Sequence, residues 1–230
     1  SRVSVDPIEG ADALWQLSAS SSVVSNSEEV SLTLDAETGR IVTRSRLSRG
    51  KNQRLKTYDY TAQHLLRERH DPGTDAGQAV SDWKVTSSRQ LLYPPELDGL
   101  TVTGAYALVL LADRLRRSDA DSMDFAVHTD LNFYRVALTR GPISDVEVNY
   151  RIEGAETVAG TRRAESIRVQ AAPLGQQADK DDFSLLGLSG EISLLFDTDS
   201  GMLLQLRGVA PRIGKTEINL QAATLREPGG

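Results

Sequence analysis

Residues 146–153 carry the strongest constraint on the fold, a strict alternation of apolar and polar side chains. The apolar positions are Val146, Val148, Tyr150 and Ile152. Successive side chains of a β-strand point to opposite faces, so the pattern predicts an antiparallel strand with one buried and one solvated face. Residues 191–196 and 216–222 alternate in the same way. The sequence therefore favours an antiparallel sheet over strand–helix–strand units.

Two short segments of similar composition predict turns between strands. Residues 35–39 and 197–201 each begin with Asp, end with Gly and hold a second acid and a hydroxyl residue between them. Aspartate bonds the backbone of its own turn, and glycine adopts the positive φ that closes a hairpin. Both segments are predicted hairpin turns.

One segment has helical periodicity. From Thr103 to Arg116, apolar residues recur every three to four positions, and arginines near the end suit the negative pole of a helix dipole. Thr103 is the predicted N-cap. The predicted fold class is all-β and mainly antiparallel, as a single strongly curved sheet or open barrel with one packed helix near 103–116. The predicted apolar interior contains Leu108, Leu111, Leu115, Val148, Ile152, Leu194 and Phe196.

Composition narrows the class of protein. A single β-rich domain spanning 1–230 is expected, because no segment has the composition of an interdomain linker. The chain has no cysteine, which excludes disulfides, thiolate nucleophiles and Cys-ligated metals. Its net charge of −6 argues against a nucleic-acid partner. No apolar run approaches the ~18 residues of a membrane helix. We expect neither a cofactor nor a metal.

Three segments approach catalytic or metal-binding motifs and fail in spacing or context. Residues 214–216 resemble the end of a phosphate-binding loop, but Gly208 lies one residue too far upstream and a strand pattern follows. Residues 187–190 lack one residue of the Gly-x-Ser-x-Gly nucleophile elbow. Residues 197–201 space two carboxylates like a calcium loop, but Leu206 and Arg207 stand where the bidentate acid belongs. An enzyme is therefore not expected, and a hydrolase is the less favoured alternative.

Two groups of titratable residues are candidates for acid–base chemistry. His128 and Asp130 are predicted to share one side of a strand, where a carboxylate would orient a general base. No nucleophile accompanies them, so a surface hydrogen bond across strands is the favoured interpretation. The carboxylates Glu153, Glu156 and Glu165 would act as a pair only if the fold brought two within about 5–10 Å.

Residues 40–56 contain seven Lys or Arg and no acid. If they form a hairpin near Gly50, period-two alternation groups the cations on one outer face together with two tyrosines. Such a face would suit anionic headgroups, polysaccharide phosphates or single-stranded nucleic acid. The alternative is a solvated outer face whose charges pair with acids and prevent edge-to-edge pairing. The candidate ligand-binding residues are Arg44, Arg46, Arg54, Lys56, Tyr58 and Tyr60.

The helix at 105–115, residues 150–161 and the closing hairpin at 196–206 and 213–218 together resemble a family of exported bacterial domains of unknown function. The chain departs from this family where Leu194 or Leu195 replaces a tryptophan before the closing hairpin. The resemblance covers roughly the second half. It implies a periplasmic or otherwise exported location in the Gram-negative cell envelope and an open, strongly curved sheet. The signal segment itself is absent from this chain.

These observations predict a non-catalytic cell-envelope binding module that holds an apolar or amphiphilic anionic ligand, such as a lipid, in a curved sheet. The alternative is a structural or assembly protein that contacts another envelope protein through a sheet edge or the basic face. A pocket of several hundred Å³ would be expected of the first class, and an exposed edge or apolar patch of the second.

Overall fold

The computed structural model describes residues 2–8, 10–11, 13–23, 26–51, 53–73, 77–155, 157–176 and 181–224. The chain is mostly antiparallel β-structure, with 64% strand and 9% helix, so the predicted all-β class is confirmed. The described strands form two sheets in place of the predicted single one. The number of strands explains this, because twisted sheets rarely exceed about ten strands without splitting.

The chain divides into two compact units. The first comprises residues 1–107, 126–128 and 174–176, and the second comprises 108–125, 129–173 and 177–230. The single-domain prediction stays a prediction, since compactness does not show that either unit folds alone. No helix in the described part of the chain is long and apolar enough to span a membrane.

The first unit contains a seven-stranded antiparallel sheet in which each strand pairs with the next along the chain. Its seven strands are β1 Arg2–Pro7, β2 Leu14–Val23, β3 Asn26–Asp35, β4 Ile41–Arg49, β5 Arg54–Tyr60, β6 His64–Asp71 and β7 Lys84–Leu92. The short strand β8 Thr101–Gly104 follows in the chain and is not part of this sheet. Short 3₁₀ turns lie at Val80–Asp82, Pro95–Leu97 and Ala105–Ala107. This simple order follows from short connections, which favour pairing between consecutive strands.

The second unit contains the helix and a sheet with the strand order β14-β13-β12-β11-β10-β9. Its elements are α1 Leu108–Arg117, β9 Ser122–His128, β10 Phe133–Ile152, β11 Thr157–Leu174, β12 Ser189–Asp197, β13 Leu203–Ala210, β14 Gly214–Asn219 and β15 Ala222–Ala223. β15 pairs in parallel with β10. The last three residues of β9 and the last residue of β11 group with the first unit.

The helix begins later than the sequence predicted. Thr103 is not an N-cap but lies in β8, where its hydroxyl donates to the carbonyl of Gly39 at 2.8 Å. At Gly104 an added Cβ would lie 2.8 Å from the Leu32 side chain, so the backbone passes close to β3. This packing keeps residues 101–104 extended, and α1 starts at Leu108.

The predicted apolar interior residues are divided between two faces of the second sheet. The helix residues Leu108, Leu111 and Leu115 are buried, and α1 contacts β10 and β12. On β12, Leu194 and Phe196 point to one face and Leu195 to the other. Leu195 belongs to a buried cluster with Val146, Tyr150, Ala164 and Leu204, against which Val148 and Ile152 pack. Both faces of this sheet therefore carry apolar contacts.

Both predicted hairpin turns are confirmed. In the β3–β4 turn the Thr38 hydroxyl and the Thr38 backbone N–H each donate to the Asp35 carboxylate at 2.7 Å, which lowers the pKa of Asp35. In the β12–β13 turn the Ser200 hydroxyl donates to Asp197 at 2.9 Å. The closing glycines, Gly39 and Gly201, both have φ of 73°. This positive φ is why glycine ends each turn.

Candidate functional site

The first sheet presents four serines in a straight row across its first four strands. Ser4 on β1 lies opposite Ser18 on β2, Ser18 lies opposite Ser31 on β3, and Ser31 lies opposite Ser45 on β4. Alternation places them on the face opposite to the buried Leu17 and its neighbours. We call the face that carries the serines the hydroxyl face, and the opposite one the buried face.

A groove of about 490 Å³ follows this row over β1 to β5. Its lining residues are Arg2, Ser4, Ser18, Ala19, Ser20, Glu29, Val30, Ser31, Ser45, Leu47 and Leu55. We call it the serine groove. A second row, Arg2, Ser20, Glu29, Leu47 and Leu55, runs beside the serines in register. Because serine side chains are short, the serine row forms the floor. The longer side chains of the second row, those of Arg2, Glu29, Leu47 and Leu55, form a wall that Ser20 interrupts.

On the other side of the serine row, opposite to the wall, hydrogen bonds hold the polar side chains in place. The Gln16 carboxamide donates to the hydroxyl of Ser31 and accepts from Thr33 at 3.4 Å. The Thr43 hydroxyl donates to Thr33 at 3.0 Å. A serine hydroxyl that accepts one hydrogen bond still has a proton to donate. At the far end, Glu29 forms an ion pair with Arg49 at 3.6 Å. The groove therefore offers ordered donors and acceptors beside two leucines.

Sequence reasoning missed this groove. Ser31 and Ser45 have longer side chains two positions away, and the only serine-rich stretch, residues 18–22, lies along β2 and not across the strands, so no contiguous motif marks the row. The row exists only through the register of four strands, which the turns set. Small hydroxyl residues at alternating positions of consecutive strands are the one signal available before the register is known.

The predicted basic residues do share one face, but it is the buried face. Arg44 lies opposite Tyr58, and Arg46 lies opposite Lys56. The side chain of Lys56 is only 9% exposed, Tyr58 is fully buried and Tyr60 is nearly so. The expected solvated outer face is thus wrong for these three residues. Alternation identifies which residues share a face and does not say which face is covered.

Specific contacts accommodate the charges on the buried face. The Arg44 guanidinium stacks 3.8 Å over the Tyr58 ring, a favourable cation–π contact. Arg46 forms an ion pair with Glu28 at 2.5 Å. Lys56 lies between Arg46 on β4 and Arg69 on β6. The side chain of Arg69 is 44% exposed and bonds Asp71, so the basic row opens to solvent towards β6.

His128 is a buried structural histidine and not a surface one. It ends β9 and is fully buried, with Nδ1 in a 2.9 Å hydrogen bond with the Tyr60 hydroxyl. Its carbonyl accepts from Arg44 at 2.9 Å. Asp130 lies beyond the strand end, so the predicted pairing on one strand side is wrong. The tyrosines predicted to bind a ligand instead hold this histidine, since both rings also pack on it edge-on.

In the second unit, Asp182 ties residues 181–183 to the turn between β9 and β10. Its carboxylate accepts from the Thr129 hydroxyl at 2.7 Å, from Asn132 Nδ2 at 2.9 Å and from the backbone N–H of Leu131 at 3.0 Å. The Tyr134 hydroxyl donates to Asp181 at 2.5 Å. Burial and this bond raise the pKa of Tyr134 to about 12. A carboxylate with so many protein donors has a structural role.

The remaining acid–base and motif candidates have ordinary structural surroundings. Glu165 pairs with Arg140, Glu153 accepts from Thr224 at 2.6 Å, and Glu156 lies outside the described residues. A strand begins at Gly214 and another at Ser189, so neither segment leads into the helix that its motif would need. Within the residues that the structure describes, no three acidic or histidine side chains cluster as metal ligands.

No protein-family model, curated protein or solved structure matches this chain. The resemblance to an exported bacterial family therefore stays a prediction, and the case for a function depends on the geometry of the site.

Proposed function

We propose that the protein is a non-catalytic binding module whose first unit holds a saccharide in the serine groove. The observation that carries this proposal is the in-register row of four serines along the groove floor. Hydroxyl groups both donate and accept, as sugar hydroxyls do, so the two surfaces complement each other over several contacts. The leucines of the wall, Leu47 and Leu55, suit the apolar C–H face of a pyranose ring.

The spacing of the row also fits an extended ligand. Neighbouring strands lie about 4.8 Å apart, so successive serine hydroxyls recur at about that distance. Successive sugar units of an extended glycan recur at a comparable distance. A short oligosaccharide lying across β1 to β4 would therefore meet one serine for each unit. The volume of about 490 Å³ lies within the usual range for small-ligand sites.

The residues that line the serine groove favour a more polar ligand than the lipid-like one predicted from the sequence. A lipid tail needs a mainly apolar cavity, whereas most side chains of the serine groove are polar. Arg2 would accept an anionic substituent, so an acidic sugar remains compatible with the predicted preference for anionic ligands. The cell-envelope location and the lack of catalysis stay expectations from the sequence.

The test is a screen of neutral and acidic oligosaccharides by saturation-transfer NMR, followed by calorimetric titration of the strongest binder. Ser31→Ala removes one hydroxyl and should weaken binding by about two- to tenfold, the range of one net hydrogen bond. The double variant Ser31→Gln/Ser45→Gln fills the floor and should weaken binding more than tenfold. Ser88→Gln is the matched control, since Ser88 is exposed on the same face but lies on β7, outside the groove.

Binding of no saccharide in the screen would contradict the proposal, and the row would then be an ordinary solvated face. Equal losses for the floor variant and for Ser88→Gln would place the ligand elsewhere. Binding to anionic phospholipid vesicles without binding to any saccharide would favour the amphiphilic ligand predicted from the sequence.

A further inference from the structure

Strand β7 ends the strand order of the first sheet and is exposed along almost its whole length. Among the described residues it pairs with β6 alone, so part of its backbone N–H and C=O groups point away from the sheet. Residues 84–90 are all exposed, and Leu92 is 74% exposed. Leu91 is the only half-buried residue of the strand.

β7 is also a long edge strand. It has nine residues, whereas β1 and β14, which also end a strand order, have six each. Natural edge strands are commonly shortened or interrupted by proline to prevent pairing with other chains. β1 ends in Pro7, but β7 contains no proline. The edge therefore offers backbone groups over nine residues, with one irregularity where the β6–β7 register shifts between Arg69 and His70.

β7 itself carries two cations and no acid, although Lys84 lies opposite Asp71 on β6. Lys84 and Arg89 are exposed on β7 itself, and Arg89 lies opposite Arg67 on β6. Arg69, 44% exposed and paired with Asp71, lies opposite Ser87 on the same side of the sheet. An incoming strand would place alternate side chains beside these cations. Acidic side chains at those positions would be attracted, and basic ones repelled.

The same charges disfavour a second copy of β7 as the partner. Antiparallel pairing of two copies about Ser88 would place Arg89 of each copy diagonally across from the other. Diagonal neighbours in a sheet lie about 7–8 Å apart, within reach of long side chains, so like charges there are unfavourable. An extended acidic segment of another protein meets the same backbone without this repulsion.

We infer that β7 is a docking edge that accepts an extended acidic peptide segment as an additional strand, with Lys84 and Arg89 selecting its charge. This gives the protein an interaction surface separate from the serine groove. Backbone hydrogen bonds supply the pairing, and alternate side chains supply the selectivity, as in other complexes formed by strand addition.

The probe is a fluorescein-labelled nine-residue peptide in which Glu alternates with Val, with blocked ends, titrated with the protein by fluorescence anisotropy. A Lys-for-Glu version should bind at least about tenfold more weakly, because the cations then repel it. A version N-methylated at alternate amides should also lose at least about tenfold, because it cannot complete the backbone ladder. Hydrogen exchange should slow in β7 when the acidic peptide is bound and stay unchanged in β1.

Arg89→Glu should reduce the affinity for the acidic peptide by about tenfold or more. It should also reduce the difference in affinity between the acidic peptide and its Lys-for-Glu version. Lys215→Glu on β14 is the matched control, since it changes the net charge equally at another sheet edge and should leave the affinity unchanged. Equal binding of the two peptides, equal effects of the two variants, or no binding would each overturn the inference. A protein dimer that the acidic peptide displaces would also overturn it, in favour of a second copy.

Discussion

Arg140 on β10 holds the C-terminal end of α1, and its replacement is the sharpest test of how the second unit is stabilised. Its guanidinium donates to the carbonyls of Leu115 at 2.9 Å, Arg116 at 3.0 Å and Ser118 at 2.5 Å. It also pairs with Glu165. The last carbonyls of a helix have no partner within the helix, so this one side chain satisfies several of them.

The expected loss of stability follows from these contacts. Removing one partner of a buried ion pair costs about 3–5 kcal/mol, and each hydrogen bond to a charged group contributes about 1.5–3 kcal/mol without simple additivity. The Arg140 side chain is 28% exposed, so solvent screens part of this energy. Arg140→Ala should therefore lower the free energy of unfolding by about 3 kcal/mol. Arg140→Lys keeps the charge but loses the planar fork, so about half that loss is expected.

The assay is equilibrium unfolding in urea followed by circular dichroism. The matched control is Arg135→Ala on the same strand, whose side chain is 59% exposed in its pair with Asp124. An exposed pair contributes about 0.2–1 kcal/mol, so this variant should stay close to the parent protein. If Arg140→Ala lost no more stability than Arg135→Ala, the reasoning that Arg140 fixes the helix end would be refuted.

Two further predictions concern the residues around the β9–β10 turn. Asp182→Ala should lower the free energy of unfolding by about 2–4 kcal/mol, because Thr129 and Asn132 lose a charged acceptor. Equilibrium unfolding in urea measures this loss. A change below about 0.5 kcal/mol would contradict the structural role of Asp182. Tyr134 has its folded-state pKa raised to about 12 by burial and by its bond to Asp181, so it contributes stability below about pH 10 that is lost as the pH rises towards 12. Tyr134→Phe should flatten the pH dependence of the urea midpoint in that window, and an unchanged slope there would rule this contribution out.

The sequence predicted the strand class and both hairpin turns because these depend on local chemistry. Alternation at 146–153 is visible in the chain itself, and the Asp and Gly of each turn act within five residues. The capping of α1 was not predictable in this way. The arginines near the helix end suggested the dipole interaction, but two of them, Arg116 and Arg117, pair with Asp113. Ser118 supplies a local part of the cap by donating to the Leu115 carbonyl at 2.9 Å, and the rest comes from Arg140, more than twenty residues away.

At the candidate site, too, the sequence predicted the local grouping of side chains but not the long-range contacts that cover them. Alternation correctly grouped Arg44 and Arg46 with Lys56 and Tyr58 on one face. It did not show that this face is buried, because the strands here carry polar residues on both faces. The residues that cover a face come from distant parts of the chain, as Thr103 and Gly104 show by packing against the β3–β4 region. Burial is therefore a tertiary property that overrides the local expectation of a solvated basic strand.

The two proposed surfaces lie far enough apart on one sheet to act independently. The serine groove extends over β1 to β5, and the docking edge is β7, with β6 between them. At about 4.8 Å per strand the separation from β5 to β7 is about 10 Å, beyond which substitutions usually have additive effects. A variant that combines Ser31→Gln with Arg89→Glu should therefore lose saccharide and peptide binding to the same extent as the two single variants. Stronger coupling than this would contradict the independence of the two surfaces.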